Sequence, residues 1–132
     1  MLDASTLGSD SFVFGSAVDQ TLTGTSGRDR LEGGAGGDIL DGLSDFDIYI
    51  GGGGTDTFVL GADAADKVID FATGEDLLDV SAFGVSDIGG LELIQRSDAS
   101  FYVVADAGVA VIQSLADINI TDLSGDDFIF AT

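Results

Sequence analysis

Through the first half of the chain a large apolar residue recurs at every ninth position. Leu31, Leu40, Tyr49 and Phe58 keep this spacing, and each is the centre of a three-residue run: Arg30 to Glu32, Ile39 to Asp41, Ile48 to Ile50, Thr57 to Val59. Three residues cannot make a helical face. They fit the out, in, out alternation of a short strand. The six residues between runs are rich in glycine and aspartate, which favour turns. The pattern therefore predicts a turn and a short strand repeated every nine residues. Two repeats would make one lap of a flattened coil, so that each block stacks on the next but one.

The four blocks read GTSGRDRLE, GGAGGDILD, GLSDFDIYI and GGGGTDTFV. Each opens on glycine (Gly24, Gly33, Gly42, Gly51) and has aspartate sixth (Asp29, Asp38, Asp47, Asp56). A flexible Gly/Asp linker has no reason to keep an apolar residue at a fixed ninth place, nor its aspartates at a fixed offset from the glycines. The third block departs from the pattern, with Leu43 and Asp45 where glycine is expected. Aspartate tolerates a left-handed backbone better than leucine does.

Fainter blocks lie on both sides. One residue out of phase, GADAADKVI places Gly61 first, Asp66 sixth and Val68 eighth. A second slip gives FATGEDLLD, with Gly74 fourth, Asp76 sixth and Leu78 eighth. Upstream, GSAVDQTLT has Gln20 sixth, and GSDSFVF (Gly8 to Phe14) echoes GTDTFVL (Gly54 to Leu60), which makes Asp10 a sixth-place residue. Stacking alternate blocks gives two columns: Asp10, Asp29, Asp47 and Asp66 on one side, and Gln20, Asp38, Asp56 and Asp76 on the other.

The columns have a chemical use. Glycine at places one, two and four, as in Gly24, Gly33, Gly34, Gly36, Gly51, Gly52 and Gly54, bares backbone carbonyls. The sixth-place carboxylates add hard anionic oxygens. Calcium takes six to eight such oxygens in flexible geometry. Neighbours in a column would sandwich an ion, most strongly Asp38 with Asp56 and Asp29 with Asp47, then Asp47 with Asp66 and Asp56 with Asp76. Roughly three to five ions fit this scheme. Leu43 weighs against the pair of Asp29 and Asp47. An EF-hand is excluded, since no D-x-D-x-D-G with a twelfth-place glutamate is present.

Composition sharpens this picture. The chain has 24 acidic residues against 4 basic ones, a net charge of −20, and only Glu32, Glu75 and Glu92 are glutamates. A surface acidified for solubility alone would use both acids. The charge is self-repelling on a compact fold, and it argues against nucleic acid and anionic membrane as partners. With no cysteine there is no disulfide or thiolate chemistry, and with no histidine there is no zinc-histidine site and no His-based triad. No run approaches the roughly 20 apolar residues of a membrane span, and the N-terminus lacks the basic and apolar regions of a Sec signal peptide. Carboxylate pairs for glycoside hydrolysis are inevitable among so many acids, but the metal columns account for them better.

The second half has a different rhythm. LELIQ, FYVVA and VAVIQ are short β-prone runs, the last two flanking a hairpin signal at Asp106 to Gly108. A helical turn is expected around Ser124 to Asp127. The expected fold is all-β: a roll over residues 1–80 and antiparallel strands over 81–132 that cap its open end. Ile48, Ile50 and Val59 would form an apolar outer patch, and residues 101–112 are expected to pack over it.

The blocks match G-G-x-G-x-D-x-U-x, the RTX (hemolysin-type) nonapeptide. DKVIDFATGEDLLDVSAF (Asp66 to Phe83) resembles the C-terminal module of serralysin-type secreted metalloproteases, and is similar to modules of RTX polysaccharide epimerases and adhesins. The resemblance implies a parallel β-roll of calcium-binding repeats that folds on binding Ca2+. It implies extracellular localisation by a type I ABC exporter, with DDFIFAT as a C-terminal signal. It also implies a non-catalytic module, either free-standing or covalently linked to a catalytic domain. An alternative is an accessory module that binds polysaccharide or another surface ligand, for which only Arg28, Arg30, Lys67 and Arg96 are basic.

Overall fold

The structure is a computed structural model and describes residues 2–3, 10–62 and 65–131, with only the backbone given for residues 2–3. Gly8, the expected first glycine of the most upstream block, lies outside the described residues, as do Asp63 and Ala64.

Each nonapeptide folds as a turn and a short strand. In chain order the strands are β1 (Leu2–Asp3), β2 (Ser11–Phe14), β3 (Thr21–Thr23), β4 (Asp29–Gly34), β5 (Ile39–Asp41), β6 (Ile48–Gly52), β7 (Thr57–Val59), β8 (Ala65–Val68) and β9 (Leu77–Asp79). Successive strands fall in opposite sheets. One sheet runs β1-β3-β5-β7-β9 and the other β2-β4-β6-β8, with all these neighbours parallel. Leu31 pairs with Tyr49 and Leu40 with Phe58, so block n does stack on block n+2.

The eighth-place residues fill the narrow space between the sheets. Leu22, Leu31, Leu40, Tyr49, Phe58, Val68 and Leu78 are buried, while places seven and nine are half-buried or exposed. Fully burying one such side chain is worth about 1.5–3 kcal/mol, which fixes both the register and the face each strand presents.

The two slips in the repeat are single inserted residues. Leu60 is inserted after the fourth block, and Asp70 precedes the last. The stacking offset lengthens accordingly: Tyr49 pairs with Val68 and Phe58 with Leu78, where Leu40 pairs with Phe58. Leu60 joins the core.

The C-terminal half continues both sheets. Strands β10 (Glu92–Ser97), β11 (Ser100–Ala105) and β12 (Gly108–Gln113) form an antiparallel meander, with the expected hairpin turn at Asp106 and Ala107. Strand β12 pairs with β8 in parallel, giving the seven-stranded order β10-β11-β12-β8-β6-β4-β2. Strand β13 (Phe128–Ile129) pairs with β9 and completes the six-stranded sheet. A 3-10 turn at Gly125–Asp127, N-capped by Ser124 in a capping box, delivers the chain to β13.

The expected cover over Ile48, Ile50 and Val59 is not what forms. Residues 101–112 join the sheet edge to edge, and Phe101, Val103, Ala110 and Ile112 extend the core. Ile48 and Ile50 also lie in a different sheet from Val59, so the three make no common patch. Successive blocks take opposite faces, and neighbours in sequence are therefore not neighbours in the same sheet.

Candidate metal centre

Six aspartates at sixth places are buried: Asp29, Asp38, Asp47, Asp56, Asp66 and Asp76. They sit where each turn becomes a strand, one rung apart in two columns. A single hydrogen-bond rule links them, in which the backbone N–H of each sixth-place residue donates to the carboxylate Oδ1 one rung further on. In one column Ser11 donates to Asp29 at 2.8 Å, Asp29 to Asp47 at 2.8 Å, and Asp47 to Asp66 at 3.1 Å. In the other, Gln20 donates to Asp38, Asp38 to Asp56, and Asp56 to Asp76, each at 2.9 Å.

The second carboxylate oxygen divides the six. At the ends of the columns a turn amide satisfies it: Thr25 N to Asp29 Oδ2 at 2.6 Å, Gly61 N to Asp66 Oδ2 at 2.8 Å, Ala72 N to Asp76 Oδ2 at 2.9 Å. Gln20 imitates this without charge, its Oε1 accepting from Ser16 N at 2.7 Å. In the middle, Oδ2 of Asp38, Asp47 and Asp56 is buried with no hydrogen-bond partner. A bare buried carboxylate oxygen is costly unless a cation meets it. Gly33 and Gly51 pack directly against the carboxylates of Asp38 and Asp56, where any Cβ would collide with Oδ2, and Gly24 does the same for Asp29.

Electrostatics agree with the geometry. Burial above all, then the charges of Asp66, Asp29 and Asp45, pushes Asp47 up to about 8 against the donation from Asp29 N–H. Asp56 is pushed up to about 7 by burial and by Asp76, Asp38 and Asp70, and Asp66 to about 6, mainly by burial. Asp38 and Asp76 are raised for the same first cause. A bound divalent ion reverses this logic by favouring the charged form. Among the described residues no three acidic side chains converge on one point. Side chains thus offer an ion two carboxylates at most, and the hard all-oxygen set that suits calcium would need backbone oxygens to complete it.

The turns have the backbone freedom that such a set needs. Gly34, Gly36, Gly52 and Gly54 have φ of 100°, 98°, 90° and 98°, left-handed values that free the peptide planes to rotate. In the third block Leu43 and Asp45 also have positive φ, at 76° and 72°. The turn therefore keeps its shape under strain, and Asp47 retains its bare oxygen despite Leu43.

Residues 14–49 match the family model of the RTX calcium-binding nonapeptide repeat, in four copies. These residues are an RTX array. Repeats of this family bind calcium in general. Two solved structures from the mannuronan C5-epimerase of Azotobacter vinelandii resemble the whole roll and its cap. The AlgE6R3 subunit is 27% identical over 93% of this chain and 79% of its own, with TM-score 0.69. The AlgE6R2 subunit is 28% identical over 91% and 92%, with TM-score 0.64. The extracellular lipase LipA of Serratia marcescens shares the fold at 21% identity and TM-score 0.53, and the chain spans 21% of that lipase. Among curated proteins no significant match is found.

One expectation needs correction within the RTX frame. Asp10 is not the sixth-place residue of its block; Ser11 is, pairing with Asp29. The echo of GTDTFVL misleads by one position, because burial selects Val13 over Phe12 and Phe14, which are 56% and 62% exposed. Asp10 is exposed and accepts from Arg28 N at 2.9 Å, just as Asp19 accepts from Gly37 N at 2.8 Å. Both are fifth-place caps outside the buried columns.

Three other contributors escaped the repeat pattern. Asp70 accepts from Gly51 N and Gly52 N, both at 2.8 Å, holding the fourth turn. Asp127 accepts from Gly74 N at 3.2 Å and Ser124 N at 2.9 Å, tying the tail to the last turn. The Tyr49 hydroxyl accepts from Gly42 N at 3.0 Å and donates to Val59 O at 2.9 Å. Asp70 lay within the D-F-x-x-G-E-D motif as its aspartate before phenylalanine; Tyr49 was legible only as apolar filling.

Proposed function

We propose that the chain is a calcium-dependent folding module of a type I exported extracellular protein, with no chemistry of its own. The observation that carries this reading is the set of three bare, buried oxygens on Asp38, Asp47 and Asp56. Ions between Asp38 and Asp56, and between Asp47 and its neighbours Asp29 and Asp66, take their other ligands from turn carbonyls at Gly33, Gly34, Gly36, Gly51, Gly52 and Gly54. Asp76 closes its column. Calcium bound there neutralises repulsion that otherwise opposes closing the roll, so binding energy becomes folding energy. Extracellular calcium modules bind at about 10⁻⁴–10⁻³ M, so the chain stays open at low calcium, threads an ABC exporter led by its acidic and apolar C-terminal segment, and folds outside. A catalytic domain carried on the same polypeptide would gain a stable appendage.

A second reading is an accessory module that holds a polysaccharide. It is favoured by the outer face of the seven-stranded sheet, where Arg30, Lys67 and Arg96 gather. Two measurements test the proposal. Calorimetry gives calcium stoichiometry, with roughly three ions expected. Export is read by co-expression with a type I exporter, comparing the chain with a variant lacking residues 125–132; equal export of both overturns the secretion role.

A further inference from the structure

Sheets are vulnerable at their edges, and natural proteins guard them with charge, proline, a bulge or brevity. Among the described residues four strands form edges: β1, β13, β10 and β2. Strands β1 and β13 have two residues each. Strand β10 carries Glu92 and Arg96, and its register shifts between Gln95 and Ser97. Strand β2, Ser11–Phe14, has none of these guards.

Backbone and side chains of β2 point the same way. Ser11 N donates to Arg28 O at 3.3 Å and Gly15 N to Glu32 O at 2.7 Å, so the odd-numbered residues bond inward to β4. Successive residues of a strand turn their polar groups to opposite sides. The N–H and C=O of Phe12 and Phe14 therefore face the open side, where no described strand pairs with them. The same two residues expose their rings, stacked 5.3 Å apart. One rung inward the equivalent positions hold Arg30 and Glu32. The core is also less closed here: Val13 keeps 8% of its surface, where Leu22, Leu31, Leu40, Tyr49 and Phe58 keep none.

Charge decides what can meet this edge. Both carboxylate columns stop short of it, since Ser11 and Gln20 hold the sixth places of their blocks. Strands β2 and β3 bear no charge. Asp10 and Asp19 are exposed, but their carboxylates accept from Arg28 N and Gly37 N, one rung inward. In a chain of net charge −20, a second copy is repelled least at this end. A charged partner finds no matching charge on the strand. A second copy brings an identical uncharged strand and the same rings.

We propose that β2 is the joint of a symmetric dimer of this chain, in which the two β2 strands pair antiparallel. Phe12 of each copy faces Phe14 of the other in a hydrogen-bonded pair, four rings cluster on the outer face, and Val13 meets Val13 across the twofold axis. The assembly is closed, because one edge is used by both copies. A four-residue edge is about 13 Å long, so the contact is small and the dimer exchanges with monomer. The joint goes beyond calcium-coupled folding and needs only that the roll be folded.

The test is sedimentation equilibrium of the intact chain over a concentration series in millimolar calcium, with circular dichroism confirming the fold. A monomer–dimer equilibrium is expected, weakened at least about tenfold by Phe12→Thr/Phe14→Thr, which keeps strand-forming residues at exposed positions. The chain has no cysteine, so Val13→Cys gives a second reading independent of that variant. Facing residues of a non-hydrogen-bonded antiparallel pair lie about 4.5 Å apart at Cα, within reach of a disulfide. Val13→Cys should therefore cross-link two chains on oxidation, where the exposed Leu115→Cys does not. A monomer at every concentration overturns the dimer. Unchanged dimerisation of the phenylalanine variant, or equal cross-linking of the two cysteine variants, overturns the β2 joint. Growth beyond two chains overturns the closed symmetry.

Discussion

Removing one oxygen, in Tyr49→Phe, tests how far the interior of the roll depends on a single polar bridge. The ring is fully buried, so phenylalanine keeps its packing. What is lost is the link from Gly42 N through the hydroxyl to Val59 O. Elsewhere the equivalent bond is direct, as from Gly24 N to Asp41 O at 2.8 Å. Each buried group left unpaired costs about 1–3 kcal/mol, and half-buried Val59 belongs at the low end, so the variant loses roughly 2–4 kcal/mol. On the proposed linkage of folding to calcium, about three ions would make each tenfold rise in free calcium add about 4 kcal/mol. The midpoint of calcium-induced folding should therefore move up about three- to ninefold. Far-ultraviolet circular dichroism during a calcium titration measures it. A midpoint within about 1.5-fold of the wild type would show that water or backbone adjustment replaces the hydroxyl, and would refute the reasoning.

Three further outcomes follow from the same geometry. Asp38→Ala or Asp56→Ala should remove more calcium affinity in calorimetry than Asp19→Ala or Asp98→Ala, which lie outside the buried columns; equal losses would mean that charge acts diffusely. Leu43→Gly relieves a left-handed leucine at φ 76° that is 42% exposed, and should stabilise the calcium form by about 0.5–1 kcal/mol in thermal unfolding; a lower melting temperature would contradict the strain argument. Asp47 and Asp56 titrate at about 8 and about 7 in the metal-free fold, above the ordinary 3.8, so that fold is favoured below the ordinary value and loses this stability as pH rises through about 7 and 8. In EGTA the β-signal should be greater at pH 5 than at pH 8, and the Asp47→Asn/Asp56→Asn variant should flatten the difference.

Periodicity made most of the roll legible. A ninth-place apolar residue and a sixth-place aspartate specify a turn, a strand and the stacking of alternate blocks, and both slips of phase proved to be single inserted residues. The buried carboxylate columns were legible for the same reason. Their hierarchy was not: whether Oδ2 is bare or capped depends on which turn amide bends inward, as Thr25 N does for Asp29 but no amide does for Asp38. Asp10 was misplaced because local similarity to GTDTFVL outweighed the choice of Val13 as core. The cap was legible as strands and a hairpin, but not in its docking, since parallel pairing of β12 with β8 and of β13 with β9 is non-local. The gathering of the bases on one face needed three-dimensional register, because Arg30 and Lys67 are 37 residues apart in sequence.

Calcium-coupled folding is the central claim, and one measurement meets it directly. Circular dichroism and hydrodynamic radius are recorded on the intact chain in EGTA and then in millimolar calcium at neutral pH. Without calcium, the bare oxygens of Asp38, Asp47 and Asp56 oppose closure, and the chain should be expanded with little β-signal. Calcium should restore compactness and β-signal together. A compact chain with the full β-signal in EGTA would contradict the account.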